Sequence, residues 1–155
     1  MTSADIRESL GIIGGTGPQG RGLAARWARA GHVVHIGSRT LEKAQAAVED
    51  VQERVGDGPD VRAGTNADVA AAAEIIVVAV PYEAQVATLP SLADAIGDKV
   101  VCNVVNPMVF DERGPKAVRV DAGSAAEECQ ELLPRARVVS SFHDVSSRRL
   151  LRVDE

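Results

Sequence analysis

Aromatic side chains are scarce in this sequence. Only 3% of its 155 residues are aromatic, namely Trp27, Tyr82, Phe110 and Phe142, too few for a base-stacking platform. Cysteine is scarcer still: Cys102 lies in an apolar run and Cys129 in a predicted helix. They form no disulfide framework and read as two reduced structural thiols of a cytosolic protein. An excess of basic charge is also missing. Seventeen Lys and Arg against 22 Asp and Glu give a net charge of −5, which argues against nucleic acid or an anionic membrane as partner. No apolar run approaches the roughly 18 residues of a membrane span. Residues 1–10 carry Asp5 and Glu8 and lack the basic-then-apolar order of a secretory leader, so a cytoplasmic location is expected. The three histidines, His32, His35 and His143, have no Cys or His neighbour at ligand spacing, and no metal site is expected. With 45% hydrophobic and 25% charged residues, residues 1–155 read as one ordinary globular domain, without repeat or low-complexity linker.

Short apolar runs alternate with Ala-rich helical stretches, the pattern of an α/β fold with a parallel sheet. The runs are Ile12-Ile13, Val33-Val34-His35-Ile36, residues 75–80, residues 100–105 and Val138-Val139, with a further edge strand at Val61-Arg62-Ala63. Such unbroken apolar runs suit strands covered by helices on both faces. Helices are expected over residues 18–30, stopped by Gly31, and from Leu41 to a stop at Gly56. Residues 82–96 read as helix interrupted by Pro90. Ser124-Ala125-Ala126-Glu127 has the form of a capping box, opening a helix that ends near Pro134. Residues 106–123 read as a functional loop over one sheet edge.

Directly after the first strand comes Gly14-Gly15-Thr16-Gly17-Pro18-Gln19-Gly20, containing Gly15-x-Gly17-x-x-Gly20. Glycine at such a turn reaches backbone angles closed to other residues and lets a pyrophosphate approach the main chain. The N–H groups opening the next helix then face the phosphates, and Gly20 permits close helix–strand packing. A plain tight turn would look the same in isolation. Its place between a strand and a helix, ahead of a second strand, points to a dinucleotide and to a Rossmann-type doubly wound sheet.

The end of the second strand indicates which dinucleotide. An NAD site has Asp or Glu there, about 20 residues past the glycines, to accept from the ribose 2′-hydroxyl. This chain has Gly37-Ser38-Arg39-Thr40-Leu41-Glu42-Lys43. Arg39 can stack on adenine and fork onto a 2′-phosphate, Lys43 adds a charge one helical turn on, and Ser38 adds a hydrogen bond. The bland alternative is a solvated helix start, but positive charge is mildly unfavourable at a helix N-terminus. NADP is therefore expected in preference to NAD.

At this point the sequence resembles a known family. The glycine loop continued by Arg21-Gly22, with Gly37-Ser38-Arg39, Val80-Pro81, Asn106-Pro107-Met108-Val109-Phe110-Asp111 and Phe142-His143, is similar to the bacterial NADPH-dependent coenzyme F-420 reductases. The resemblance implies hydride transfer between NADP(H) and an 8-hydroxy-5-deazaflavin, on a Rossmann domain plus a small C-terminal segment, in a homodimer. It puts the dinucleotide phosphates on Thr16, Gly17, Pro18 and Gln19, and the 2′-phosphate on Ser38, Arg39 and Lys43. Val80, Ala84, Asn106 and Ser147 would lie along the ribose and nicotinamide, and His143 beside the deazaflavin. Because this chain stops at Val153-Asp154-Glu155, the family's C-terminal deazaflavin and dimer segment is expected to be absent.

Hydride transfer requires two stacked rings shielded from water, and neither an activated nucleophile nor a metal. His143 is accordingly expected to position a ring. Pro81 either shapes a turn against the nicotinamide or merely ends a strand. Asn106-Pro107 ends another strand at the same sheet edge, where Asn106 can bond a carboxamide or ribose. Tyr82 covers the cofactor or is a plain surface aromatic, and Trp27 reads as a core or dimer contact. Arg148, Arg149 and Arg152 read as a solvated terminus rather than an anion site. Two other functions fit the same features: an NADPH-dependent reductase of an imine or enoyl acceptor, and a non-catalytic NADP-binding module.

Overall fold

The computed structural model describes residues 7–154. The reading of residues 1–10 as no leader thus falls mostly outside the described residues. Six strands form one parallel sheet: β1 (Ser9–Ile13), β2 (Val33–Ser38), β3 (Val61–Thr65), β4 (Ile75–Val78), β5 (Val100–Asn103) and, near the C-terminus, β8 (Arg137–Ser140). Their order is β3-β2-β1-β4-β5-β8. Ile12 of β1 stands opposite Ile36 of β2 on one side and Val77 of β4 on the other. The chain first builds outward from β1 to β3, then crosses to β4 and builds the other way. This reversal beside β1 opens a crevice at the carboxyl ends of β1 and β4, where α/β sheets bind ligands.

Neighbouring residues of a strand serve opposite faces. Ile12 and Val77 pack with Leu23, Ala24, Ala25 and Ala28 of α1 (Pro18–Arg29) and Ala47, Val48 and Val51 of α2 (Leu41–Val55). Ile13, Ile76 and Val78 pack with Val69 and Ala70 of α3 (Asn66–Ala72) and with Leu89, Leu92 and Ile96. Both faces are therefore covered, as the unbroken apolar strands require. α1 ends in a Schellman motif: Gly31, at φ +94°, donates its N–H to Ala28 O, and His32 donates to Trp27 O.

Pro90 divides the expected long helix into α4 (Tyr82–Thr88), a 3-10 turn over Pro90–Leu92 and α5 (Ala93–Ile96). α6 (Ala125–Leu132) opens on Ser124, whose Oγ accepts from Glu127 N–H at 3.1 Å. The complete reciprocal capping box lies instead at α3. Thr65 Oγ1 accepts from Asp68 N–H, and the Asp68 carboxylate accepts from Thr65 N–H at 2.9 Å. Helix α3 was not among the sequence expectations, although Thr65-Asn66-Ala67-Asp68 carries this cap in plain view.

The expected loop over residues 106–123 is partly ordered as a hairpin. β6 (Met108–Asp111) pairs antiparallel with β7 (Gly114–Ala117) apart from the main sheet. Asp111 holds the turn by accepting from Arg113 N–H and pairing with Lys116. A last short helix, α7 (Ser147–Leu150), lies along α1. There Arg26 donates to the carbonyls of Arg149, Leu150 and Arg152, and Arg29 to that of Val153. A Cβ on Gly22 would come within 2.5 Å of Leu150 Cβ, so that glycine admits the closing segment. No helix among the described residues is long and apolar enough to cross a membrane.

Candidate functional site

A cleft of about 1130 Å³ occupies the carboxyl edge of the sheet, beside β1 and β4. Its floor begins in the glycine loop, where each glycine has a separate reason. Gly14 sits at φ +69°, and a Cβ there would lie 2.5 Å from Val80 Cγ1. A Cβ on Gly20 would lie 2.6 Å from Gly15 Cα, so Gly15 and Gly20 fold the loop onto the helix and do not line the cleft. Gly17 differs. Its backbone is ordinary extended chain, φ −74° and ψ 169°, and an added Cβ would meet nothing within 4 Å. Nothing in the protein requires glycine there, and the open space faces the cleft.

The loop is tied down from two sides. Gly15 N–H donates to Gly37 O at 2.9 Å, and Gly14 N–H donates to Asn66 Oδ1 at 3.1 Å. Asn66, itself a cleft residue, was missed from the sequence because the helix it opens was missed. Gly17 caps α1 without a side-chain acceptor, Pro18 stands in its first turn, and that turn holds no acidic residue. The first N–H groups of a helix have no intrahelical partner and carry its positive dipole end. This opening of α1 is thus arranged to receive an anion.

At the adenosine end anticipated from sequence, Ser38 is buried, while Arg39 and Lys43 are exposed and line the cleft. Neither cation makes an ion pair or side-chain hydrogen bond among the described residues. Arg21 of α1 binds Asp50 of α2 at 2.9 Å and so ties the two helices, while Arg54 braces the same carboxylate within α2 at 2.8 Å. The hydrogen bond from Arg54, with Arg21 adding to it, keeps the Asp50 carboxyl below its usual range.

The opposite end is walled by Val80, Pro81, Tyr82 and Ala84 after β4, by Val104, Val105 and Asn106 after β5, and by His143 and Ser147. Pro107 stays outside the lining, at the root of the hairpin, whereas Met108 and Phe110 extend into it. Phe142 adopts φ +61°, a left-handed conformation rare outside glycine. Its ring meets Trp27 edge to face with centroids 5.8 Å apart, and its carbonyl accepts from Gln19 Nε2 at 3.3 Å. Asn106 Nδ2 donates to His143 O at 3.0 Å. Two side chains assigned to the cofactor from sequence thus also brace the segment carrying His143. Trp27 is a partner of this brace, and Asp144, Arg148 and Arg149 are exposed.

Under this end lie two amides with no exposed surface, Gln85 and Asn103. Burial first, and then the neighbouring Glu128 carboxylate, push the Tyr82 hydroxyl above its ordinary range, so it remains a donor. Burial also raises the Cys102 thiol and lifts that of Cys129 to about 11. Neither sulfur is an accessible thiolate nucleophile. Among the described residues no group of three or more His, Cys, Asp or Glu is placed to hold a metal ion.

Known proteins share this sequence pattern and fold. The F420-dependent NADP reductase of Methanothermobacter thermautotrophicus is 42% identical over 151 residues, covering 94% of this chain and 65% of the relative. The enzyme of that name from Methanocaldococcus jannaschii is 34% identical over 141 residues, covering 88% and 63%. This chain therefore spans just under two-thirds of the length of these curated relatives. A crystal structure from Arthrobacter sp. FB24, provisionally assigned as an F420-dependent NADP reductase, superposes with a TM-score of 0.77 at 28% identity, over 92% of this chain and 65% of the other. An imine reductase from Bacillus cereus BAG3X2 shares the fold at TM-score 0.63 and 21% identity, over 92% and 43%. The family described as "NADP oxidoreductase coenzyme F420-dependent" matches residues 9–107, from the first residue of β1 to the proline at the root of the hairpin. With the glycine loop, the Ser38-Arg39 corner and the walls after β4 and β5 inside that match, the chain belongs to the coenzyme F420-dependent NADP oxidoreductase family.

Proposed function

We propose that the cleft binds NADP(H) and that the chain works in hydride transfer between NADP(H) and an 8-hydroxy-5-deazaflavin coenzyme, with residues 1–155 forming the NADP-binding unit. The observation that carries the reading is Gly17. A glycine that no neighbour and no backbone angle requires, at the anion-ready start of α1, is explained by a ligand that must touch the main chain. Arg39 and Lys43 in the same cleft, without an ion pair among the described residues, supply the second support, because a 2′-phosphate is a partner for both. In this reading Gly15 and Gly20 shape the loop, Thr16 to Gln19 hold the pyrophosphate, and Ser38, Arg39 and Lys43 hold the 2′-phosphate. Val80, Pro81, Ala84, Asn106 and Ser147 frame the nicotinamide end, Pro107 sets the turn behind Asn106, and His143 positions the acceptor ring.

When bound, the dinucleotide supplies the hydride from its nicotinamide to the deazaflavin, or takes it back. The protein's part is to align the two rings and keep water out. The apolar walls Val80, Val104 and Val105 serve the second task. The reading extends to a homodimer working in the cytoplasm. Strand β8 is a sheet edge with Val139 half exposed, and Phe110 and Val145 add apolar surface that a second copy could cover.

The test mixes the purified chain with NADPH and the oxidised deazaflavin and follows bleaching of the deazaflavin absorbance, with NADH in parallel. Bleaching by NADPH and not by NADH is the expected result. Tight NADPH binding without bleaching would reduce the proposal to an NADP-binding unit, and failure to bind NADPH would remove it.

A further inference from the structure

Resting on the assignment of the cleft to NADP(H), we infer that Gln85 and Asn103 are positioning residues that set the width of the nicotinamide end by linking its two walls beneath the floor. Both residues are completely buried. Leucine or valine would fill such sites without any need for a polar partner. The amides instead belong to an unbroken chain of hydrogen bonds whose direction is fixed at every link.

Asn103 Oδ1 accepts from Val105 N–H at 3.1 Å. Its Nδ2 must then face outward, and it donates to Gln85 Oε1 at 2.7 Å. That contact turns Gln85 Nε2 toward α6, where it donates to Ala125 O at 3.0 Å and to Glu128 Oε2 at 2.7 Å. The other carboxylate oxygen of Glu128 accepts from the Tyr82 hydroxyl at 3.2 Å. The chain therefore starts at a backbone N–H of one wall, Val105, and ends at a side chain of the other, Tyr82. Both residues line the cleft.

Tyr82 is the first residue of α4, and Val105 lies two residues past the end of β5, so the network joins the ends of two elements at the mouth of the cleft. A flat ring between them needs their separation fixed to a fraction of an ångström, and buried, fully satisfied amide networks supply such rigidity. Glu128 and Ala125 come from α6, which makes that helix part of the nicotinamide end although it does not line the cleft.

The experiment compares Gln85→Leu, Asn103→Leu, Gln85→Glu and the double variant Q85E/E128Q. The Kd of NADPH is set beside that of 2′,5′-ADP, which occupies only the adenosine end, with deazaflavin reduction measured where it occurs. In each single variant the Kd of 2′,5′-ADP should stay within about twofold, while that of NADPH rises roughly tenfold. The kcat should fall about 10–100-fold, with the deazaflavin KM nearly constant. The double variant should recover part of both losses. Its new carboxylate at position 85 again accepts from Asn103, and the new amide at position 128 donates to that carboxylate and accepts from Tyr82, but the bond to Ala125 O stays lost. A merely structural role would lower the melting temperature and leave the ratio of the two Kd values unchanged, which overturns the inference. It is equally overturned if Q85E/E128Q performs no better than Q85E, and that comparison decides even if the leucine variants fail to fold. Wild-type chain that binds neither ligand would sink the NADP(H) assignment itself. Wild-type chain that binds both but reduces nothing would sink only the catalytic part, and the Kd ratio would still decide.

Discussion

Arg39 is where the cofactor assignment is most exposed to refutation. Arg39 lines the cleft and its side chain makes no ion pair or hydrogen bond among the described residues, so Arg39→Ala breaks none there and leaves no buried partner unsatisfied. The fold should survive, with a melting temperature near that of the parent. The loss falls on the ligand. A hydrogen bond to a charged group contributes about 1.5–3 kcal/mol, and the exposure of Arg39 places it at the low end of that range. About 1.5 kcal/mol corresponds to a rise of roughly tenfold in the Kd of NADPH. NADH lacks the 2′-phosphate and should change by less than about twofold, the remainder being any stacking of the guanidinium on adenine.

Lys43→Ala should act in the same direction but less, about 0.5–1 kcal/mol, because its compact ammonium cannot fork onto the phosphate. The effect should shrink between low salt and about 0.15 M ionic strength, where the screening length is about 8 Å. Trp27 is the sole tryptophan of the chain, and quenching of its emission, or the rise in NADPH fluorescence, gives both Kd values in one titration series. Equal weakening of NADPH and NADH would show that Arg39 serves a part common to both dinucleotides, and the NADP preference would then need another origin.

Three further outcomes follow from the same geometry. Gly17→Ala should leave the melting temperature nearly unchanged while weakening NADPH by tenfold or more, whereas Gly20→Ala, whose Cβ would lie 2.6 Å from Gly15 Cα, should destabilise the chain itself by roughly 1–3 kcal/mol. Thermal melts and fluorescence titration separate the two, and equal melting temperatures would contradict the steric argument. Asp50, held below its usual carboxylate range by Arg54 and then Arg21, gives stability that is complete above the unfolded-state pKa of about 4 and is lost as pH falls through its lowered folded-state pKa. Asp50→Asn should therefore cost about 1 kcal/mol at pH 7, with the difference from the parent shrinking in melts taken toward pH 3; a constant difference would rule out the ionic contribution. Cys129, its thiol at about 11, and the half-buried Cys102 should resist a thiol reagent at pH 8 until the chain is unfolded, and rapid labelling in the native state would refute the burial described.

What the sequence disclosed and what it withheld divide along a physical line. The strands around β1, the glycine loop, the Ser38-Arg39 corner and the divided helix at Pro90 depend on neighbours in sequence, and each was legible from local spacing. Helix α3 has few large apolar residues, and in a stretch as Ala-rich as 66–73 apolar periodicity is faint. Its cap, Thr65 with Asp68, was the signal that remained. The hairpin β6–β7 was hidden because Gly114 and Pro115 read as loop residues, and its two strands lean on each other rather than on the sheet. Gly15, Gly17 and Gly20 appeared equivalent as members of one motif. Only the distances to a missing Cβ distinguish the two that the protein itself requires from the one whose surroundings are open. The same limit hid Asn66, Gln85 and Asn103, since an Asn or Gln in an apolar segment carries no pattern of its own. Its meaning depends on which donor or acceptor another segment brings to it. At this cleft those partners arrive from the glycine loop, α4 and α6, so the motifs proposed to recognise the dinucleotide are written locally, while the proposed alignment of its reactive end depends on distant segments folded together.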